Sequence, residues 1–193
     1  MMRVIAGSYR SRPLKAVPGK NTRPTTDKIK ESMFNLLANR LPIDGYCLDF
    51  YAGSGALAIE SVSRGLAGAV MCEKDRRAVL TIKENIKMTK EEEKFVLLSG
   101  KNRTKLLDWG LKNQRAFDLV FLDPPYAENQ VEQDLEWLIK NDFLNPSCLI
   151  VLEADEVHSV KEIPNFLELK NKKYGITVIR IYQYQGEESE EYE

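Results

Sequence analysis

The chain has 193 residues, 43% of them hydrophobic and 30% charged, with a formal net charge of −1. That supplies the core of one globular domain, and no run approaches the ~20 apolar residues of a membrane span. Cys47, Cys72 and Cys148 are widely spaced, no CxxC or His/Cys ligand pattern occurs, and His158 is the only histidine, in a polar stretch that reads as surface, so no disulfide framework and no metal site is expected.

The small total hides an asymmetry. Residues 1–44 carry nine basic side chains (Arg3, Arg10, Arg12, Lys15, Lys20, Arg23, Lys28, Lys30, Arg40) against Asp27, Glu31 and Asp44, a net +6. The opening MMRVIAGSYRSR has no apolar signal-peptide core, which predicts a cytoplasmic protein. Residues 1–24 are basic and rich in Gly and Pro: an arm able to neutralise a phosphate backbone, or a solvated terminus. The last residues, 186–193, read GEESEEYE with five glutamates and are expected to be disordered. Between them, 25–185 reads as one domain.

From Thr26, a capping residue, a helix is expected, with Ile29, Met33, Leu36 and Leu37 at helical spacing and Pro42 beyond its end. Strands and helices then alternate: a strand over 46–51, a helix over 56–64 stopped by Gly65, a strand over 68–73, a helix over 75–88, a strand over 95–99, a helix over 103–112, a strand over 117–123, a helix over 131–141 and a strand over 148–153. The first, fourth and fifth strands are nearly continuous apolar runs, as in a parallel sheet covered on both faces. The pattern predicts a doubly wound α/β domain. The segment FLELKNKKYGITVIRIYQY has two extended runs about Lys172–Gly175 and no helix between them, which predicts an antiparallel hairpin closing the sheet.

Two stretches carry chemistry. The first, DFYAGSGALAIE (49–60), leaves the first strand and enters the first helix, with Ala52, Gly53, Ser54 and Gly55 in a turn that lets backbone approach a ligand. Neither GxGxxG nor GxxxxGK[ST] is present. The second strand ends in Glu73, with Lys74 next, and Glu73 stands twenty residues past Gly53, a placement for an acid that bonds ribose hydroxyls through both carboxylate oxygens; it could also cap a helix or lie on the surface. Asp49 can hold a cationic amino group of the kind methionine carries. Asn102 can read an adenine ring, or Lys101 and Asn102 are plain loop.

The second stretch is Asp123-Pro124-Pro125-Tyr126, directly after an apolar strand. Prolines cannot continue a central strand and hold the preceding residue extended, so the corner is stiff. The exocyclic amine of a nucleobase is a poor nucleophile because its lone pair is delocalised into the ring. Asp123 can accept one of its hydrogens and a carbonyl of the proline turn the other, which favours attack by nitrogen on a sulfonium methyl group. Tyr126 offers a face for the base, typically worth ~1–3 kcal/mol. The alternative is a structural turn with Tyr126 packed inward.

Together these blocks resemble the S-adenosylmethionine-dependent amino-methyltransferases, and more narrowly the bacterial small-subunit ribosomal RNA guanine-N2 methyltransferase family. The resemblance covers nearly the whole chain: RVIAGSYRSRPL (3–14), RPTTDKIKESMFNLL (23–37), LDFYAGSGALAIESVSRG (48–65), FLDPPY (121–126) and YGITVIRIY (174–182). It implies a seven-stranded Rossmann-like methyltransferase sheet, a cofactor pocket of Asp49, Gly53, Gly55, Glu73 and Asn102, and a loop of Arg23, Pro24 and Thr25 near the active site. It also implies a basic arm, with Arg3, Arg10 and Arg12, that clamps RNA. The expected partner is ribosomal RNA, naked or in a partly assembled small subunit. Asn102 stands where many methyltransferases carry an aspartate, and Arg64 is expected to anchor its helix end. Three competitors remain: a DNA adenine or cytosine amino-methyltransferase, disfavoured because no target-recognition insert is visible; a non-catalytic RNA-binding assembly factor, disfavoured by Asp123 and Tyr126; and a nicotinamide-dependent oxidoreductase, disfavoured by the missing third glycine.

Overall fold

The computed structural model describes residues 2–19, 27–124, 130–155 and 163–186. Two short strands, β1 (Met2–Arg3) and β2 (Pro13–Leu14), pair antiparallel and lead to α1 (Asp27–Leu37). The alternating region runs β3 (Tyr46–Asp49), α2 (Ala56–Ser63), β4 (Gly68–Glu73), α3 (Arg76–Lys87), β5 (Phe95–Ser99), α4 (Asn102–Asn113), β6 (Phe117–Leu122), α5 (Gln130–Lys140) and β7 (Leu144–Asp155). The hairpin of β8 (Phe166–Tyr174) and β9 (Thr177–Tyr184) follows, turning at Gly175–Ile176. Thr26, His158 and residues 187–193 lie outside the described residues.

Seven strands form one sheet in the order β5-β4-β3-β6-β7-β9-β8. The first five are parallel, and β9 runs antiparallel to both β7 and β8. The order reverses between β3 and β6, and a sheet of this kind binds ligands outside its carboxyl ends at such a switch point. Side chains alternate between the two faces, as strand geometry requires. Cys47, Ala69, Met71, Leu119, Phe121 and Val151 pack in one core with α1 and α2; Leu48, Val70, Cys72, Val120, Leu122 and Ile150 pack in the other with α4 and α5.

Several boundaries differ from expectation, and two of them have a clear physical reason. β3 stops at Asp49, where Phe50 and Ala52 leave the ladder yet donate to Phe121 O and Cys72 O. β7 begins four residues early because Phe117 pairs with Leu144 across a register shift, and Pro146 sits in that irregular stretch, where a proline is tolerated in a strand.

The described part of the arm is docked. Val4, Tyr9 and Leu14 are buried in the core that holds Met33 and Ile59. Ser8 N–H donates to Ser63 O at 2.8 Å, and Tyr9 N–H to Ser63 Oγ at 2.9 Å. Beneath it Glu60 is completely buried; Lys30 Nζ lies 3.2 Å from its Oε2 and Arg64 Nε 2.8 Å from its Oε1, while Ile5 and Ala6 N–H donate to it. Arg64 thus anchors the end of α2, and its guanidinium also stacks over Phe34.

Candidate functional site

The carboxyl ends of β3, β4, β6 and β7 open into a cleft of about 1000 Å3. Gly53 and Glu73 line it, and so do Asp123 and Glu153, so the glycine turn and the acid–proline corner share one space. The parallel register sets this: β3 and β6 are neighbours, and each turns away from the sheet at its acid.

Asp49 ends β3 with only 3% of its surface exposed, and its Oδ2 has no hydrogen-bond partner among the described residues. Burial, then the charges of Asp123 and Glu73, push its carboxyl up to about 7, while the backbone N–H groups of Ala58 and Tyr51 pull the other way. A buried polar atom without a partner is costly and rare in a native protein. In the cleft wall it suits a cationic group that a ligand brings.

The turn after Asp49 is shaped for close approach. Gly53 has φ +56°, and a Cβ there would meet nothing within 4 Å, which leaves open space above its backbone. Gly55 has φ +76° and caps α2 without a side chain, and a Cβ there would press on Met71 Sδ at 3.1 Å. Ala52 and Ser54 line the cleft with Gly53. Three fixed features therefore meet at the end of β3: the unpaired oxygen of Asp49, a bare backbone turn and a helix N-terminus.

Glu73 does more than expected for a ribose ligand. Its Oε1 accepts from Lys74 N–H and Asp75 N–H, both at 2.8 Å, and its Oε2 accepts from Gly53 N–H at 2.9 Å. The carboxylate ties the glycine turn to the end of β4. With about four acceptor sites on a carboxylate, the capacity left for a hydroxyl is on Oε2 rather than on both oxygens. Lys74 is exposed beside it and lines the cleft. Asn102, the first residue of α4, donates Nδ2–H to Phe50 O, which leaves Oδ1 as its acceptor toward the cleft it lines. An acceptor is what an adenine amine requires.

Asp123 and Pro124 leave β6 into the same cleft. Asp123 is exposed to the cleft yet walled by the strand ends; burial and then the Glu153 charge raise its carboxyl. Cleft water reaches the group and screens part of that repulsion. Pro125 and Tyr126 lie outside the described residues, as do Arg23 and Thr25.

The arm residues separate into different roles. Arg3 is exposed and faces Asp27 at 3.9 Å. Arg10 is exposed, and no side-chain partner for it is found among the described residues. Arg12 has an internal job: Nη1 donates to Met88 O at 2.9 Å and to Thr89 O at 2.7 Å, and the guanidinium stacks over Tyr9, so it satisfies carbonyls at the end of α3.

Sequence reasoning missed a polar cluster in the cleft wall. Asp134 on α5, 1% exposed, accepts from Tyr51 Oη, Gln130 Nε2 and the Arg103 guanidinium. It holds the start of α5, just past the proline corner, against the β3 and α4 ends. The signal was an acid at helical spacing on the face that carries Val131, Leu135 and Leu138. Glu153 was missed too, because a strand-end acid looks the same in sequence whether or not it meets a cleft.

Comparison with known proteins gives this site a family. The family model described as Conserved hypothetical protein 95 matches residues 2–183. The YlbH protein of Bacillus subtilis is 38% identical over 186 residues, 96% of this chain and all of that one. Ribosomal RNA small subunit methyltransferase D of Haemophilus influenzae is 34% identical over 182 residues, covering 94% of this chain and 93% of its own. Among solved structures, YhhF of Escherichia coli superposes with a TM-score of 0.81 at 33% identity, over 96% of this chain and 99% of that one. The chain belongs to this family, that of the ribosomal RNA small subunit methyltransferase D proteins.

Proposed function

We propose that this member of the family transfers a methyl group from S-adenosylmethionine to the exocyclic N2 amine of a guanosine in small-subunit ribosomal RNA, in the cytoplasm. The observation that carries the reading is the single cleft in which the unpartnered Oδ2 of Asp49 and the carboxylate of Asp123 both stand. The names of the relatives support the reaction class and the ribosomal RNA; the choice of guanine N2 is our own step.

S-adenosylmethionine, when bound, supplies an electrophilic methyl on a sulfonium. Asp49 would take its ammonium group, which replaces an unpaired buried oxygen by a charge-assisted bond. The open face of Gly53 would admit its backbone-like portion, Glu73 Oε2 a ribose hydroxyl, and Asn102 Oδ1 the adenine amine. Asp123 and the proline corner would orient the guanine amine so that its nitrogen lone pair points at the methyl carbon, with the base stacked on Tyr126. Methyl transfer would leave the donor as a neutral thioether, and Asp123 would accept the proton that the amine nitrogen loses and pass it on to water. Positioning of this kind contributes strongly to rate without any covalent intermediate. Arg3 and Arg10, with Arg23 and Thr25, would hold the RNA backbone beside the cleft. The test is mass mapping of modified nucleosides in small-subunit ribosomal RNA from cells with and without the protein. Loss of one N2-methylguanosine is expected; an unchanged map would overturn the reading.

A further inference from the structure

The reaction as proposed names one carboxylate for the base, yet two stand there. β6 and β7 are parallel neighbours in register, with Leu122 opposite Leu152, so Asp123, which leaves β6 directly after Leu122, departs beside Glu153 of β7. Strand neighbours lie about 4.8 Å apart. Both side chains line the cleft, Asp123 exposed to it and Glu153 half-buried. The cleft is marked as a ligand site independently of this pair, by the unpartnered Oδ2 of the buried Asp49 in the same wall.

Two acids at the mouth of a site that must take a polyanion invite explanation. Like charges at neighbouring positions repel, and the Glu153 charge adds to burial in raising the Asp123 carboxyl. A ligand that offers two adjacent hydrogen-bond donors matches such a pair of acceptors. Among the nucleobases with an exocyclic amine, guanine offers them: N1–H stands next to the N2 amine. Adenine places the acceptor N1 beside its N6 amine, and cytosine the acceptor N3 beside its N4 amine. A second carboxylate there would face a lone pair.

We propose that Glu153 accepts the N1–H of the target guanine while Asp123 accepts from its N2 amine, so that Glu153 is the residue that selects guanine over adenine and cytosine. This rests on the guanine-N2 reading above and deepens it. Selection comes from both sides: guanine gains a charge-assisted bond, and the other two bases meet an acceptor against an acceptor. A site built around a donor rejects analogues that lack it far more strongly than an apolar pocket does.

The test uses a small-subunit RNA fragment carrying the mapped nucleotide as guanosine or as 2-aminopurine riboside, which keeps the N2 amine but has an acceptor at N1. Wild-type protein should lose roughly ten- to a hundredfold in kcat/KM on the 2-aminopurine RNA, the scale of one bond to a charged group. Glu153→Gln should lose a similar factor on guanosine. It should recover on 2-aminopurine, because the Gln amide can turn an N–H toward the ring nitrogen. Titration with S-adenosylmethionine should give the same affinity for both proteins, which shows that the variant is folded. An unchanged guanosine-to-2-aminopurine ratio in Glu153→Gln, with N2-methylguanosine still formed by wild type, overturns the role of Glu153 alone. A wild-type product on adenine or cytosine overturns both this role and the guanine reading.

Discussion

Two carboxylates a short way apart in the chain, Asp49 and Glu60, are both buried, and their surroundings could hardly differ more. Glu60, beneath the docked arm, meets Lys30 and Arg64 side chains and the N–H groups of Ile5 and Ala6. Asp49, at the end of β3, keeps Oδ2 without a partner and faces the charges of Glu73 and Asp123. A buried acid with its bonds complete fastens parts of a fold together. A buried acid left incomplete stores unfavourable energy until something cationic arrives. Hydrogen-bond accounting thus separates a structural joint at Glu60 from the binding role proposed for Asp49.

The comparison can be broken at several points. The largest effect is expected at the proline corner in the same cleft as Asp49: Asp123→Ala should lower methyl transfer by roughly 10²–10⁴-fold while cofactor affinity stays nearly constant, and a steady-state assay beside a binding titration measures both. On the structural side, Glu60→Ala strands the completely buried Lys30 and should cost about 3–5 kcal/mol in urea unfolding. Burial already lowers the proton affinity of Lys30, with Glu60 opposing it, so the amine should shed its proton once that acid is gone. Cofactor affinity of the folded fraction should not change.

The pH dependence sharpens the contrast. Burial, with the neighbouring carboxylates, pushes the Asp49 carboxyl up to about 7 from its ordinary 3.8. A raised carboxyl favours the folded state below the unfolded value, and that contribution is lost as pH rises through the folded one. The ligand-free protein should therefore lose stability from this group between about pH 4 and pH 7, and Asp49→Asn should remove that slope, as the difference between two urea-melt series against pH would report. Binding of a cationic cofactor should strengthen over the same rise. The smallest effects are expected in the arm. Arg10→Gln should reduce the salt slope of RNA binding by about one, whereas Arg12→Gln should act on thermal stability through the lost carbonyl contacts at the end of α3.

Much of this was legible in the sequence, for identifiable reasons. The first, fourth and fifth strands announced themselves because both their faces are apolar, whereas Asp75, read as the first residue of its helix, instead caps α3 and accepts from Arg77 and Ala78 N–H. Gly53, Gly55 and Asp123 could be found because their backbone demands or proline neighbours are local. What stayed hidden depends on partners distant in the chain. Nothing around Lys30 in its own segment announces Glu60, although a lysine on the face of Met33, Phe34 and Leu37 was a hint. Glu73 has the residue type and spacing of a ribose ligand, but only the folded chain reveals how much of its carboxylate the backbone already uses. Arg12 looked like Arg10 in composition, and docking against α3 is what divides them.

The most direct test of the contrast is a calorimetric titration of S-adenosylmethionine into the wild-type protein and into Asp49→Asn at a pH above 7, with the thermal midpoint of each recorded. The account predicts affinity lower by roughly ten- to a hundredfold, the range of one bond to a charged group, in a variant at least as stable as wild type. Equal affinities would contradict it, for then the open oxygen at the end of β3 is not where the cofactor binds.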